Sequence, residues 1–153
     1  MNTNYLFTFV AVILFSPLAY AQDDVEQLIW QQESRYIQAY RDADHGSVMA
    51  LWHENFLGWP SAEREPIRKQ QGQDFLKLRY RQSGQWQFKI EPQSIQITDD
   101  IAITQYLLKT WSANVSNPKR FRVNRIVHTW LKGTKGQWKI LGGMSAPWSF
   151  GKK

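Results

Sequence analysis

The alternation of apolar and polar residues is strongest between residues 121 and 147. Dense β-branched and aromatic residues are interrupted there only by Gly-Thr-Lys-Gly at 133–136, a polar turn flanked by glycines. The pattern predicts two long strands that pair as an antiparallel hairpin.

The first arm of this hairpin separates into two sets of side chains. Successive side chains of a strand point to opposite faces, so we expect the more apolar set to face the core. The apolar set comprises Phe121, Val123, Val127, Thr129 and Leu131. The opposite, polar set is dominated by Arg120, Arg122, Asn124, His128 and Lys132.

Arg125 is the exception in the apolar set. On this register its guanidinium points inward beside Thr129, and an unpaired buried charge costs several kcal/mol. The pattern therefore predicts an inward Arg125 that meets a partner or an anionic ligand. His128 would then face outward, as a structural or interface histidine, with a catalytic role as the alternative.

Helical periodicity precedes the strands. Apolar residues at helical spacing predict helices over 23–43, 48–56 and from Ser61 to about 83, and Asp44 or Ser47 is the expected N-cap of the second. Asp44 is also a candidate acid or base, although a capping role is the simpler interpretation.

Alternating residues return after Gly84. Strands are predicted over 86–97, with an interruption at Pro92, and over 101–111, with a turn at 99–100 between them. Three N-terminal helices packed on a strongly curved, mostly antiparallel sheet give an α+β fold with a cavity between the layers.

The first residues predict export. Residues 6–15 form an apolar run too short to span a bilayer, and Ala19-Tyr20-Ala21 is a small-residue cleavage pattern. We expect a signal peptide over 1–21, cleaved after Ala21, and a single domain over 22–153. The mature protein would be periplasmic or secreted, with no stable membrane insertion.

Charge is distributed unevenly along the chain. Residues 22–100 hold thirteen acidic and nine basic residues, whereas residues 101–153 hold ten basic and none acidic. The basic half favours either an anionic ligand or solvated strand faces. We expect no nucleic-acid partner because no nucleic-acid-binding motif is present.

The chain has no cysteine, so packing alone must stabilise it.

Short motifs in both halves of the chain suggest a family. They are Tyr36-Ile37-Gln38-Ala39-Tyr40, Asp44, Val48-Met49-Ala50-Leu51-Trp52, Phe56, Arg125, Trp130, Gly136, Trp138-Lys139-Ile140 and Ser145. This set resembles the nuclear transport factor 2-like (NTF2-like) superfamily, particularly its SnoaL-like and DUF4440 branches, which are related to ketosteroid isomerase. The resemblance covers most of the mature chain and implies a cone-shaped fold of three helices on a curved mixed sheet.

The resemblance also implies which positions of this chain correspond to the catalytic residues of the isomerases. Tyr36 falls at the position of their oxyanion-stabilising tyrosine. Trp59 or Pro60 stands where their general base lies, and Val127 stands where their second, acidic oxyanion donor lies. Steroid isomerisation as that family performs it is therefore not expected, since no base occupies the usual position.

Three functions remain open. The first is binding of a small, partly hydrophobic, anionic ligand in a cavity lined by Tyr36, Tyr40, Trp52, Phe56, Trp59, Arg125 and Thr129. The second is an isomerase-like or cyclase-like enzyme that acts on an enolisable carbonyl, with Tyr36, His128 or Asp44 as catalytic candidates. The third is an interaction module; in every case we expect a homodimer through the outer sheet face, with Ile126 and Trp130 in the contact. No metal-ligand spacing or cofactor motif is present, so neither group is predicted.

Overall fold

The computed structural model describes residues 17–79, 84–115 and 121–148. Most of the predicted signal peptide and the last five residues lie outside these ranges, so the predicted cleavage is not addressed by the fold. None of the helices in the described ranges combines the length and the apolar character that crossing a bilayer would need.

Three helices within the described residues precede the long strands, as predicted. Helix α1 covers Pro17–Arg41, α2 covers His45–Leu51, and α3 covers Gly72–Arg79 after a short 3-10 turn at Lys69–Gln71. The side chain of Asp44 accepts a hydrogen bond from the backbone N–H of Ser47 at 3.0 Å. The prediction that Asp44 caps α2 is confirmed, because this bond satisfies one of the free N–H groups of the first turn.

The second and third helices are shorter than predicted. The chain leaves α2 at Leu51 and continues as strand β1, Trp52–Trp59. The stretch after Ser61, expected to be helical, instead forms the two-residue strand β2, Ile67–Arg68, which pairs with β1. In both places strand pairing determines the structure, although the local spacing favours a helix.

The remaining strands are β3, Trp86–Thr98; β4, Ile101–Ser112; β5, Arg122–Lys132; and β6, Trp138–Pro147. They form one six-stranded sheet in the order β2-β1-β6-β5-β4-β3. Strand β1 runs parallel to β6, and the other neighbours are antiparallel. The sheet is therefore mixed but mostly antiparallel, as predicted.

The predicted hairpin of β5 and β6 is confirmed. Its turn is closed by hydrogen bonds from Gly133 N to Gln137 O and from Gly136 N to Gly133 O, each 2.8 Å long. Gly136 has φ +80°, which a residue without a Cβ adopts readily. Irregularities in register lie between Pro92 and Ser94 in β3 and at Leu141 in β6, which is left unpaired opposite Thr129 and Trp130, and such bulges bend a sheet.

Helix α1 packs against one face of the sheet, which we call the inner face. Its buried residues Ile29, Tyr36 and Tyr40 join a core to which β4 contributes Tyr106 and β5 contributes Trp130. The opposite, outer face is only partly covered in the single chain, and Ile101 on it is 42% exposed.

The orientation of β5 is opposite to the prediction. Ile126, His128 and Trp130 are buried on the inner face, whereas Arg125 is exposed on the outer face. Val127 and Thr129, predicted to point inward, share the outer face with Arg125. The prediction assumed that the more apolar set must face the core. The polar set faces inward instead because α1 supplies a buried partner for it.

Candidate functional site

A cavity of about 160 Å³ lies between the helices and the inner face of the sheet. Helix α1 contributes Tyr36 and Tyr40 to its wall, and β5 contributes Asn124, Ile126 and His128. The volume is comparable to that of a protein cavity that holds one benzene ring. A single ring-sized group therefore fits inside.

Behind the cavity wall lies Glu33 of α1, whose side chain is fully buried. Its carboxylate accepts hydrogen bonds from Thr104 Oγ1 at 2.6 Å, Trp130 Nε1 at 2.8 Å and Tyr106 OH at 3.1 Å. His128 Nδ1 lies 2.9 Å from Oε2 and 3.1 Å from Oε1. Four side chains from two adjacent strands thus converge on a single carboxylate.

These partners determine the charge of Glu33. Burial by itself raises the pKa of this carboxyl, but the opposing charge and hydrogen bond of His128, with the hydrogen bonds of Thr104 and Trp130, bring the pKa below its ordinary value of 4.5. The indole N–H of Trp130 can only donate, which agrees with an ionised acceptor. Burial and the nearby Glu33 charge raise the pKa of Tyr106 well above 10.0, so its phenol remains a neutral donor.

His128 is therefore held in a defined tautomer. A carboxylate can only accept, so the proton that Nδ1 shares with Glu33 belongs to the imidazole. When the imidazole is neutral, Nε2 carries the lone pair. The ring lines the cavity, and among the described residues no hydrogen bond to Nε2 is found. The arrangement gives a base that is oriented by a carboxylate and reaches the cavity.

A second polar group, a pair of phenols, lies on the same cavity wall. Tyr36 OH is 3.0 Å from Tyr40 OH and accepts a hydrogen bond from Trp52 Nε1 at 2.9 Å. The rings of Tyr36 and His128 meet edge to face, with centroids 5.2 Å apart. A phenol whose oxygen already accepts a hydrogen bond becomes a stronger donor, so Tyr36 is suited to bind an oxygen with developing negative charge.

The remaining wall of the cavity is aromatic. Trp52 and Phe56 stack in parallel with ring centroids 4.0 Å apart. At the mouth, Trp59 is 47% exposed and donates from Nε1 to the carbonyl of Glu63 at 3.1 Å. Flat walls of this kind suit a planar, mainly apolar group.

A groove continues outward from the mouth along β4 and β5. Trp86, Leu108 and Asn124 border both the cavity and the groove. The groove has a volume of about 720 Å³, much larger than that of the cavity. The rest of its described lining consists of Thr110, Trp111, Ser112, Phe121 and Arg122.

The structure brings six of the predicted site residues together, namely His128 and the five aromatic residues named next, and separates the others. Residues that line the cavity are Tyr36, Tyr40, Trp52, Phe56 and Trp59; their role in binding stays a prediction. Arg125 and Thr129 lie on the outer face of the sheet, away from the cavity. Asp44 is exposed and caps α2, and the prediction that His128 faces outward is wrong.

Sequence reasoning missed Glu33, the residue that orients the site. The signal was present, since Glu33 is flanked by Ile29 and Ile37 at intervals of four on the buried side of α1. A carboxylate in the middle of an apolar helical stripe must find donors elsewhere in the fold. Asn124 was also missed because the polar set of β5 was expected to face solvent.

The comparisons with known proteins agree with this architecture. The family model of the SnoaL-like domain matches residues 31–147, which include Glu33, the phenol pair and His128. The chain belongs to this family. The match and the structural neighbours support its place in the NTF2-like superfamily, as the sequence motifs predicted. Among curated proteins, none matches the chain.

Solved structures share the fold at low sequence identity. An NTF2-like protein from Pseudomonas putida has a TM-score of 0.70 at 16% identity, with 81% of this chain and 87% of that chain covered. An NTF2-like superfamily protein from Salmonella enterica has a TM-score of 0.69 at 15% identity, with 86% and 96% covered. A ketosteroid isomerase-like protein from Erwinia carotovora atroseptica has a TM-score of 0.62 at 13% identity, with 79% and 94% covered. Likeness at this level concerns the fold alone.

Proposed function

We propose that this SnoaL-like protein is an enzyme that moves a proton on an enolisable carbonyl compound whose reacting group fits the cavity. The observation that carries the proposal is the pair of Glu33 and His128, in which the imidazole lines a ring-sized cavity and the carboxylate lies buried behind it. A buried carboxylate that orients a histidine toward an aromatic cavity is an arrangement suited to general acid-base catalysis.

The chemistry follows from the position of each group. Nε2 of His128 takes a proton from the carbon next to the carbonyl, and the C–H electron pair forms a C=C bond as the carbonyl oxygen gains negative charge. Tyr36 donates a hydrogen bond to that oxygen. The imidazolium that forms is stabilised by the Glu33 carboxylate, and it returns the proton to the oxygen or to another carbon.

This proposal replaces the acidic base of the ketosteroid isomerases with a histidine. The equivalent positions in this chain hold Trp59 or Pro60 at the mouth and Val127 on the outer face, and none of these can accept a proton. His128 lies one residue from Val127 on the opposite side of the same strand. A base on the inner face of β5 supplies what the usual position lacks.

The experiment measures exchange of the acidic protons of cyclohexanone and cyclohexenone into heavy water, followed by NMR. We expect the wild-type protein to accelerate exchange, and His128→Gln to reduce the acceleration about a hundredfold or more. His53→Gln is the matched control, since His53 lies outside the cavity lining. Equal exchange by the wild type and the His128→Gln variant would refute the proposal.

Binding without chemistry is the second candidate, favoured by the predominantly aromatic cavity wall. The ligand would be a small planar molecule held by Trp52 and Phe56 and oriented by Tyr36. Titration with substituted phenols, followed by tryptophan fluorescence, tests this function. Saturable binding that weakens in Tyr36→Phe, together with no proton exchange, would favour binding over catalysis.

We also propose where the protein acts and with what partner. The apolar run over 6–15 and the cleavage pattern ending at Ala21 support export to the periplasm or the medium; N-terminal sequencing of the mature protein tests this. Apolar side chains on the outer face, including Leu57 at 45% and Ile101 at 42% exposure, support a second copy of this chain as the partner.

A further inference from the structure

The open end of the inner face carries a positive charge that the proton-transfer site does not use. Arg122 follows His128, Ile126 and Asn124 along the same face of β5, at intervals of two residues. Its side chain borders the groove that continues from the cavity. Arg122, and not Arg125, is therefore the guanidinium on the ligand side of the sheet.

The cavity and the groove differ in what they can hold. The cavity holds about 160 Å³, enough for one ring-sized group, whereas sites for larger ligands typically exceed about 300 Å³. The groove adds about 720 Å³, and its border is shared with the cavity through Trp86, Leu108 and Asn124. A longer ligand can therefore place one ring inside and extend outward without a break.

The residues that line the groove indicate which kind of ligand group can bind outside the cavity. Trp86 and Leu108 provide apolar surface on the inner face, while none of the described lining residues is acidic. Within the described ranges Arg122 makes no salt bridge, so its guanidinium is available to a ligand. Apolar surface next to an unneutralised guanidinium suits a chain that ends in a carboxylate.

We infer that the ligand of this protein is an elongated carboxylic acid, with a ring-sized head in the cavity and an apolar chain along the groove to Arg122. Arg122 lies six residues before His128 in β5, which corresponds to about 20 Å at the usual rise of a strand. The long side chain of Arg122 can shorten the distance between its guanidinium and the cavity. The inference deepens the proposed function, since it uses the same cavity and names the class of ligand.

The test uses phenylalkanoic acids from phenylacetate to phenyldodecanoate and their methyl esters, titrated by tryptophan fluorescence. We expect the wild-type protein to prefer long acids over their esters by about tenfold, and to show no such preference for phenylacetate, whose carboxylate is too far from Arg122. Arg122→Gln should abolish the preference.

Arg125→Gln is the matched control, because it removes the same charge from the same strand on the outer face. This variant should keep the preference for long acids. Equal loss in both arginine variants, or an unchanged preference in Arg122→Gln, would overturn the inference, as would a preference that does not depend on chain length. Thermal unfolding checks that each variant is folded.

This experiment separates the inference from the proposed function. Binding is measured without turnover, so an Arg122-dependent preference would stand even if His128→Gln left proton exchange unchanged. Conversely, exchange of one-ring ketones that depends on His128 would stand even if long acids showed no preference for Arg122.

Discussion

In most strands the apolar side chains face the core and the polar ones face solvent. The two faces of β5 show the reverse arrangement. The inner face, against α1, carries Arg122, Asn124 and His128 along with two buried apolar residues, whereas the outer face carries Val123, Val127 and Leu131. The enclosed face is thus the more polar one. Polar groups can be enclosed when each finds a partner, and here Glu33 supplies the partner that His128 needs.

The comparison indicates different roles for the two faces. Polar side chains directed into a cavity can bind and react, and apolar side chains directed outward can meet another protein surface. The apolar face of a strand therefore does not mark the core in this protein. Four changes, from the largest expected effect to the smallest, test this assignment.

Glu33→Ala should have the largest effect. The change leaves the indole of Trp130 and the hydroxyl groups of Thr104 and Tyr106 without their buried acceptor, and we expect the free energy of unfolding to fall by about 3–5 kcal/mol. Urea denaturation measures the loss. Gln105→Ala, on the outer face of β4, is the control and should change stability by less than about 0.5 kcal/mol. Similar values for both variants would contradict the assignment of the faces.

Lowering the pH should gradually remove the contribution of the ionised Glu33 carboxylate to the free energy of unfolding. The pKa of Glu33 lies below its ordinary value of 4.5 in the folded protein, so its contribution is fully present above 4.5 and is lost as the pH falls through the folded pKa. Urea denaturation between about pH 6 and about pH 3 should show a steeper loss for the wild type than for Glu33→Gln.

Other carboxyl groups with a lowered pKa do not affect the difference between the pH profiles of the wild type and Glu33→Gln. Hydrogen bonds or basic neighbours lower the pKa of Asp42, Asp44, Glu54 and Glu91, but these groups are present in both proteins. Parallel pH profiles for the wild type and Glu33→Gln would show that the buried carboxylate is not ionised.

Gly143→Ala should have an intermediate effect. Gly143 pairs with His128 across the inner face, and an added Cβ would collide with the carbonyl oxygen of Val127 and with the imidazole. We expect a loss of about 1–3 kcal/mol and a displaced His128, visible as a changed imidazole signal by NMR. Gly46→Ala is the control, since its Cβ would meet only Asp44 at an ordinary distance of 3.5 Å. Equal tolerance of both changes would argue against close packing at His128.

Val127→Lys should leave folding almost unchanged but prevent dimerisation. The side chain lies on the outer face beside Met144, so a lysine there remains hydrated in a single chain but would be buried in a dimer. Sedimentation at micromolar concentration should show a dimer for the wild type and a monomer for the variant. A wild type that sediments as a monomer would contradict the proposed partner.

The sequence alone was sufficient for most of the fold. The glycine-flanked turn at 133–136 and the β-branched residues around it predicted the hairpin, because these signals are local and strong. The fold class, the four long strands after α3 and the family resemblance were also correct, but strands β1 and β2, which lie between α2 and α3, were not predicted. The bounds of α2 and α3 were not correct, because pairing of Trp52–Trp59 with distant strands overrides local helical spacing.

What the sequence determined about β5 is that its residues divide into two sets on opposite faces. Which set faces the cavity was decided only in the tertiary structure, by a contact between Glu33 and His128, which lie 95 residues apart along the chain. A period of two residues separates the faces of a strand but does not say which one another element covers. Here the hydrogen bond between Glu33 on α1 and His128 fixes which face of β5 packs against the helix. His128 and Arg122 therefore lie on the cavity side of the sheet, and Arg125 lies on the outer face.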